Sequence, residues 1–505
     1  MEETTSNLIK KLEALYKESK FKDIIDLLPD EVIEKEESKA AELYVWKGYV
    51  LHDLKDYDGA FSNYCKALKH DPNYHLAFYN RGLVWVIRGD YNKAIDDFTK
   101  AIKNATDYTD HYYSNRGNVW KAKKIYNKAI DDYTKAIEIS PDFAKAYYGR
   151  GLAKKEKLSK KGKNFDLNKI KFDLNEIKSD FDKYLEITKD EKDVGTKYAQ
   201  GYIEELKEQI KVPELWFIGE LINNIKNTLL INRNFITHYT SLSVLESLVL
   251  NNNKFQISEG NCMNDPSEGK EFFSFIYDKS YASSKNGFSA KAFSPKPFIG
   301  SFVTKDMQDN LNMWRFYGKD RGIEAKGCAI TLFKQKFIED IKDFLSNEKN
   351  REARLEDESD INLYHVVYVM RNGLDKFYIP KSNKSKELEN LMEELKVKVY
   401  NYTKKVENST VLEKYLNQIA FLFKSDAYKN ENEVRLVIKG IEFPKKYNVG
   451  ISSPRVYIEL VSIKDTVYQI TLGPKVDRVN EWFAAFHYRY EKVFPKIKIS
   501  RLPYK

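Results

Sequence analysis

The residues with the clearest chemical potential are a histidine, a serine and two glutamates that lie far apart in the chain. His238 lies in the segment 235–240, which reads FITHYT, and Ser301, Glu431 and Glu433 lie in or beside later apolar segments. Imidazole and hydroxyl groups can donate hydrogen bonds to a ligand, whereas ionised carboxylates accept them. If the chain folds so that these side chains meet, they predict a polar ligand site.

The segment around His238 predicts a strand, a polar turn and the start of a helix. Two β-favouring residues precede the histidine, and apolar residues recur at helical spacing from Leu242 to Val249, with Ser241 as the expected N-cap. A helix N-terminus offers free backbone N–H groups, so His238 and its neighbouring hydroxyls are placed where an anionic ligand can bind. The alternative is a strand end whose histidine caps a loop.

The sequence predicts an α+β domain over residues 233–505. Short β-branched and aromatic segments alternate with amphipathic helical ones. Strands are predicted at 254–258, 298–303, 328–332, 365–369, 434–438, 456–460, 469–473 and 497–499. Helices are predicted at 312–317, 384–407, 411–423 and 477–489, with a turn and helix start at 264–268 and a polar loop at 280–296.

The first 190 residues contain an internal repeat of 34 or 35 residues. The repeated positions are glycine (48, 82, 117, 151), alanine twelve residues later (60, 94, 129), an aromatic residue sixteen later (64, 98, 133) and alanine nineteen later (67, 101, 136). This pattern resembles the tetratricopeptide repeat, in which small residues allow two helices to cross closely. We therefore predict an α-solenoid over 1–190, with a degenerate first unit and an insertion near 159–175, and a helical connector over 191–232.

The resemblance to tetratricopeptide repeats implies that the array binds a protein or peptide. Asn80, Arg81, Asn115, Arg116 and Arg150 recur just before the repeat glycine. A row of amides and guanidinium groups is suited to holding a carboxylate or an acidic peptide. The alternative is a ladder of salt bridges within the array.

Composition limits the classes of partner and compartment. The chain has 505 residues and a net charge of +9 that is spread over many lysines. This charge permits contact with nucleic acid, but no concentrated basic face is evident, so nucleic acid is not indicated. The most apolar window, 215–231, contains Glu220 and Lys226, and therefore no membrane span is predicted.

The cysteine and histidine patterns favour a reducing, cytoplasmic compartment and disfavour metal binding. Cys65, Cys262 and Cys328 are far apart and form no CxxC pair. The seven histidines form no HxxxH or HExxH arrangement, so we predict no metal. The acidic N-terminus lacks the apolar segment of a signal peptide.

Taken together, the motifs of the second half resemble the ADP-ribosyltransferase superfamily. They read HYT, NDPSE, SF, MWRFYG, ENEVR and LG between residues 238 and 473. Within that superfamily the chain is most similar to a bacterial domain family of unassigned function. The resemblance implies an α+β ADP-ribosyltransferase-like fold, NAD as the substrate, and cleavage of the nicotinamide–ribose bond through an oxocarbenium-like transition state.

The resemblance also implies roles for the catalytic candidates, which are Glu433, Glu431 and His238, and for Ser301 beside them. Glu433 matches the second glutamate of the Glu-x-Glu motif, and is expected to bind the ribose 2′-hydroxyl and stabilise positive charge. Glu431 is expected to orient the acceptor or support Glu433. Ser301 is expected to brace Glu433, although Ser301 and Tyr317 both remain candidates for the second-motif residue. The alternative is that Glu431 and Glu433 pair with Arg435 and Lys429 at a surface strand end.

The remaining implied contacts concern the nucleotide. His238, flanked by Tyr239 and Thr240, is expected to bind the adenosine-side ribose. Trp314 or Tyr317 is expected to stack on nicotinamide. Because these two aromatic residues have helical spacing, they are alternatively part of the core.

These expectations define a cytoplasmic, bacterial-type effector. Its C-terminal domain is an NAD-dependent ADP-ribosyltransferase or NAD glycohydrolase, and its repeat array recruits or senses a protein. The alternatives are an inactive protein-binding adaptor and a nucleic-acid-modifying transferase.

Overall fold

In the computed structural model, the chain folds into two compact units, Met1–Lys211 and Val212–Lys505. The described residues are 2–36, 38–107, 109–160, 166–189, 194–259, 269–277, 298–307, 309–320, 322–347, 361–370, 376–406, 410–438, 446–448, 455–490 and 495–502.

The first unit is built from helices that pack in consecutive antiparallel pairs. Asp56 and Asp90 begin two of them, since each side chain accepts a hydrogen bond from a backbone N–H in the first turn. The helices are α1 Glu2–Lys17, α2 Phe21–Leu27, α3 Asp30–Ile33, α4 Ala40–Asp53, α5 Tyr57–His70, α6 His75–Ile87, α7 Tyr91–Asn104, α8 Thr109–Ala122, α9 Tyr126–Ile139, α10 Ala144–Ser159, α11 Leu167–Ile187 and α12 Val194–Lys211.

The repeat glycines lie against the repeat aromatic residues. A Cβ added to Gly82 would lie 2.7 Å from the Phe98 ring, and one added to Gly48 would lie 2.5 Å from the Tyr64 ring. Both rings are fully buried. The residue sixteen positions after Gly48, Gly82 or Gly117 therefore fills the space that the missing side chain leaves, whereas Gly151 lies against Phe181, thirty positions later. The predicted α-solenoid is confirmed.

The second unit combines a mixed sheet with helices. The helices are α13 Glu214–Leu229, α14 Leu242–Leu245, which continues as a π-helical turn over Glu246–Leu250, α15 Lys270–Ile276, α16 Leu311–Phe316, α17 Lys334–Asn347, α18 Ser385–Thr403, α19 Thr410–Ala420 and α20 Val479–Arg489. The strands are β1 Phe235–Thr240, β2 Lys254–Glu259, β3 Phe298–Thr304, β4 Cys328–Phe333, β5 Asn362–His365, β6 Val367–Val369, β7 Phe377–Tyr378, β8 Phe423–Ser425, β9 Glu433–Ile438, β10 Lys446–Asn448, β11 Arg455–Ser462, β12 Val467–Leu472 and β13 Lys496–Ile499.

Ten strands form one sheet in the order β10-β11-β2-β3-β1-β4-β12-β13, with β9 pairing β3 and β5 pairing β9. β3 pairs with β9 along its length, but with β1 only at Val303 and Thr304 and with β2 only at its first two residues. The neighbours of β3 therefore separate on one side, and an opening forms between them.

Several elements begin or end at residues other than those predicted from the sequence. The predicted strand 365–369 breaks at Val366, because β5 pairs with β9 whereas β6 joins the small sheet β7-β6-β8. The predicted helix 411–423 ends at Ala420, and Phe423 begins β8. The predicted connector 191–232 is shared between the units, α12 belonging to the first and α13 to the second. The predicted turn at 264–268 and loop at 280–296 lie outside the described residues.

Candidate functional site

Glu433 is the centre of a buried polar cluster. It is the first residue of β9 and is 4% exposed. Ser301 Oγ donates to its Oε1 at 2.6 Å, and Arg435 donates from Nε to Oε1 at 2.9 Å and from Nη2 to Oε2 at 3.1 Å. The expected bracing of Glu433 by Ser301 is present. Arg435 reaches Glu433 because residues two apart on a strand point to the same face.

Positive neighbours keep Glu433 ionised. Burial by itself raises the pKa of this carboxyl, but Arg435, Lys424 and the hydrogen bond from Ser301 outweigh burial and lower it to about 2. Arg435 is fully buried and also donates to the Phe421 carbonyl. The alternative pairing with Arg435 is therefore present, but it lies in the interior rather than at a surface strand end.

Glu431 joins the same cluster from the short 3-10 helix 426–431. Lys424 Nζ lies 2.8 Å from Glu431 Oε2 and 3.0 Å from Glu433 Oε2, so one ammonium group bridges the two carboxylates. Asn432 between them has a left-handed backbone (φ 49°), a conformation that asparagine tolerates better than most residues. This turn allows both flanking side chains to reach Lys424, which takes the place proposed for Lys429.

Tyr317 closes the outer side of the cluster. Its hydroxyl donates to Glu431 Oε1 at 2.6 Å, and its side chain is 36% exposed. Burial and then the bond to Glu431 raise the pKa of Tyr317, so the phenol stays protonated and remains a donor. It therefore lies at the position where an aromatic ring can meet both solvent and the carboxylates.

The cluster forms one wall of a cleft whose empty space is about 350 Å³ when the part open to solvent is included. This cleft contains six of the predicted residues together with others from β1, β3 and α16. Its lining residues are Thr237, His238, Tyr239, Ser301, Phe302, Val303, Met313, Tyr317, Glu431 and Glu433. Strands β1, β3 and β9 and helix α16 thus bring together residues that are almost 200 positions apart in the chain.

His238 occupies the opening beside β3. Its Nδ1 lies 3.0 Å from the Ser301 carbonyl oxygen, and its ring packs 5.2 Å and 5.6 Å from the rings of Phe255 and Phe302. Phe302 and Ser301 are consecutive on β3, so the imidazole packs on the face opposite to the Ser301 hydroxyl and Glu433. His238 and Glu433 line one cleft, but the imidazole bonds the strand carbonyl rather than the carboxylate.

Two predicted nucleotide contacts lie outside the cleft lining. Trp314 is fully buried, its Nε1 donates to Asp309, and its ring packs edge-on to Tyr239 at 4.9 Å. The indole is therefore a core residue and is not available to stack on nicotinamide, which leaves Tyr317 as the candidate. Thr240 is also buried and does not line the cleft.

Sequence reasoning did not identify Lys424 as a site residue. It follows an apolar segment that was predicted as the end of a helix, whereas the structure forms β8 there and leaves Lys424 5% exposed. Although burial acts to lower its pKa, Glu433 and Glu431 raise it. A lysine inside an apolar segment near two glutamates was the available signal, because lysine is rarely buried without a partner.

In the repeat array, the predicted arginines bind carboxylates of their own chain. Each guanidinium group makes two or more hydrogen bonds to a buried aspartate on the following helix. The pairs are Arg81–Asp97, Arg116–Asp132 and Arg150–Asp180. Asn80 and Asn115 donate to carbonyls one turn earlier in their own helices. The salt-bridge ladder is thus present, and a direct contact of these residues with a partner stays a prediction.

Within the described residues, no three histidine, cysteine, aspartate or glutamate side chains form a group that could hold a metal ion. Across the same parts of the chain, no helix has the length and apolar character that spanning a bilayer requires.

Comparison with protein families identifies the repeats and one region of the second unit. Residues 41–74 match the tetratricopeptide repeat family, and residues 117–157 match a second model described as TPR repeat. Residues 313–436, which include Tyr317, Lys424 and Glu433, match a family described as protein of unknown function (DUF2971). No curated protein sequence matches the chain.

Solved structures match the repeat region at low similarity. The crystal structure of MamA is 23% identical, covers 35% of this chain and 95% of its own, and has a TM-score of 0.30. YrrB, a TPR protein with an unusual peptide-binding site, is 21% identical over 37% of this chain and 88% of its own (TM-score 0.29). The first TPR of Spaghetti (RPAP3), bound to an HSP90 peptide, is 23% identical over 27% and 93% (TM-score 0.22). The family matches establish tetratricopeptide repeats in the N-terminal region of this chain.

Proposed function

We propose that the second unit is an NAD-consuming enzyme of the ADP-ribosyltransferase type, and that the repeat array binds a protein or peptide that recruits or regulates it. The reaction breaks the bond between nicotinamide and ribose C1′, whose electrons leave with nicotinamide. Water or an acceptor group forms the new bond to C1′ and releases a proton. Tetratricopeptide repeats act in protein–protein interaction, which supports the role of the array.

The ionised Glu433 at the wall of the cleft carries the proposal. A carboxyl with a pKa of about 2 remains an anion at neutral pH, so it can accept a hydrogen bond from a ribose 2′-hydroxyl and stabilise positive charge at C1′. Ser301 and Arg435 hold the carboxylate in one orientation. Such fixed groups stabilise a transition state without reorganising during the reaction.

Other cleft residues fit the remaining parts of this substrate. The exposed ring of Tyr317 offers a surface for nicotinamide, a contact worth about 1 kcal/mol. Glu431 lies at the outer side of the cluster, where an acceptor would approach.

His238 is assigned to a ribose hydroxyl through its second nitrogen. Burial lowers the pKa of this imidazole, so the ring is neutral, and donation from Nδ1 to the Ser301 carbonyl leaves an acceptor lone pair on Nε2. Nε2 forms no hydrogen bond with the residues that the structure describes. The histidine would therefore hold β1 beside β3, and from the side of the cleft that it lines it would contact a part of the nucleotide away from Glu433.

The test measures nicotinamide release from NAD by the purified full chain. Glu433→Gln is expected to reduce turnover by about 100-fold or more, because the transition-state charge loses its counter-ion. Glu481→Gln makes the same chemical change at an exposed site and is the matched control. Turnover at the wild-type rate in folded Glu433→Gln protein would refute the assignment.

A second variant separates catalysis from folding. Glu433→Gln removes a negative charge that Arg435 and Lys424 share, which can destabilise the fold. A loss of activity in this variant could therefore result from unfolding instead of lost catalysis. Ser301→Ala keeps every charge and removes only the hydrogen bond that orients Glu433. It is expected to lower kcat with little change in the unfolding midpoint.

An inactive adaptor is the second candidate, and one observation favours it. Both oxygens of Glu433 already accept hydrogen bonds from the chain's own cations, so the cluster can serve as a buried structural unit. In that case the full chain neither binds nor consumes NAD, and Ser301→Ala changes stability alone.

A further inference from the structure

A second surface of the C-terminal unit combines aromatic rings with positive charge. Phe235, Phe333 and Tyr468 lie on the neighbouring strands β1, β4 and β12, with ring centroids 4.4 to 5.2 Å apart. Phe235 and Phe333 are direct cross-strand partners. The ladder between β4 and β12 shifts register between Val467 and Gln469, which brings Tyr468 beside the two phenylalanines.

Two lysines complete this aromatic–basic surface from the strands on either side. Lys305 follows β3, and its Nζ lies 4.3 Å from the Phe235 ring centre and 4.2 Å from the Tyr468 ring centre. Lys496 begins β13, and its Nζ donates to the Tyr468 hydroxyl at 2.9 Å. Five adjacent strands therefore contribute to one surface at the same end of the sheet.

Among the residues that the structure describes, the positive charge of this surface has no carboxylate partner. Neither Lys305 nor Lys496 forms an ion pair with a carboxylate of the described residues, and the neighbouring Asp306 pairs with Lys381 instead. Both ammonium groups approach the oxygen of Tyr468, and these contacts lower the pKa of that phenol. Two cations that converge on one neutral oxygen form a site for an external anion.

An open groove begins at Phe235 and Lys305, and its empty space is about 1010 Å³ when the part open to solvent is included. Its other lining residues are Asn232, Arg233, Asn234, Thr304 and Asp306. Arg233 forms no ion pair within the described residues, whereas the Asp306 carboxylate is paired with Lys381. The groove thus adds a guanidinium group and two amides to the aromatic–basic surface. Phe235 is three residues from His238 on β1, or about 10 Å along the strand, so the groove lies near the cleft.

We propose that the aromatic–basic surface and its groove bind a single-stranded nucleic acid. Phosphates would contact Lys305, Lys496 and Arg233, while an unpaired base would stack on the ring of Phe333, which is 42% exposed. The combination of aromatic rings with unpaired cations favours this ligand over an acidic peptide, which offers no ring to stack. The inference is independent of the NAD chemistry proposed above.

The test is fluorescence anisotropy of a labelled oligothymidylate of about 12 nucleotides with the full chain, in the absence of NAD. Lys305→Ala/Lys496→Ala is expected to weaken binding about tenfold or more, and to reduce the slope of log K against log salt by about 1.4, or 0.7 for each lost contact. The matched control, Lys376→Ala/Lys446→Ala, removes the same charge from exposed lysines that pair with glutamates elsewhere in the unit. It is expected to bind within about twofold of wild type.

A third variant tests stacking. Phe333→Ala is expected to weaken binding about fivefold or more without changing the salt slope, because it removes a base contact but no charge. The proposal fails if wild type does not bind at about 50 mM salt, or if both double variants lose equal affinity. It also fails if duplex DNA or free thymidine monophosphate binds as tightly as the single strand, since the site would then recognise general polyanions or small phosphates.

Discussion

The repeat array and the C-terminal unit use the same ion pair in different ways. In the array, Arg81 and Arg116 each donate two hydrogen bonds to one aspartate, so that each guanidinium group binds both oxygens of its partner carboxylate. In the C-terminal unit, Arg435 also donates two hydrogen bonds to one carboxylate, that of Glu433. Ser301 and Lys424 donate to the same carboxylate, which lines a cleft.

The comparison shows that the surroundings of an ion pair, rather than its chemistry, indicate its role. An arginine–aspartate pair that recurs in successive repeats fixes the packing of one helix on the next. Under the proposed function, a carboxylate that is shared among several donors at a cleft stabilises the positive charge of a bound substrate. The energetic cost of breaking each pair should follow its depth of burial.

The largest effect is expected from Arg435→Met. This change leaves Glu433 buried with Lys424 as its remaining cation, so we expect a loss of about 3–5 kcal/mol in unfolding free energy. Urea unfolding followed by hydrogen exchange in peptides of the second unit measures it. Arg435→Lys, which keeps the charge, should recover part of the loss. A change below about 1 kcal/mol would contradict the importance of this pair.

Lowering the pH should destabilise the second unit through the same cluster, because Glu433 becomes protonated. The pKa of Glu433 is about 2 in the folded state and near 4.3 in an unfolded chain, so its contribution is complete above about pH 4.3 and is lost as pH falls toward 2. We expect the second unit to lose about 3 kcal/mol over this window. Glu433→Gln should show a flatter acid profile, and an unchanged profile would argue against the depressed pKa.

Arg116→Met is expected to have an intermediate effect. The side chains of Arg116 and Asp132 are 17% and 8% exposed, so water can partly replace the lost guanidinium. We expect a loss of about 1.5–3 kcal/mol, measured by hydrogen exchange in α8 and α9. The double variant Arg116→Met/Asp132→Leu should recover part of this loss. A loss as large as that of Arg435→Met would contradict the expectation that the cost of removing an ion pair increases with its burial.

The smallest effect is expected from Lys183→Ala. Lys183 and Glu186 form a surface pair one helical turn apart, with side chains 40% and 69% exposed. Solvent screens such pairs, so the unfolding midpoint should not change within the error of the measurement. A clear destabilisation would show that exposed pairs also hold the array together.

Local patterns predicted many of the elements. The 34-residue period located the helix pairs, because Gly48, Gly82 and Gly117 each meet the aromatic residue sixteen positions later within one repeat. Ser241 was correctly predicted as an N-cap, since its side chain accepts from the Val244 N–H. The break at Val366 and the start of β8 at Phe423 were not predicted, because pairing with distant strands decided both.

The candidate site was predicted in part. The bracing of Glu433 by Ser301 was anticipated from the motif, and the structure contains it. The burial of Trp314 and the bridging position of Lys424 were not anticipated. Helical spacing does not distinguish a core aromatic from a ligand-stacking one, and no local rule pairs a lysine with glutamates seven and nine residues later across a turn.

The sequence by itself determined the repeat array, since its contacts join residues within one repeat or between neighbours. It also supplied the residue types of the cleft: an imidazole, a serine, a tyrosine and two carboxylates. The tertiary structure decided which of them meet, because the separation of β1 from β2 along β3 creates the cleft and directs His238 to a strand carbonyl. It also assembled Arg233, Lys305 and Lys496 into one basic surface, which the evenly spread charges of the linear chain do not reveal.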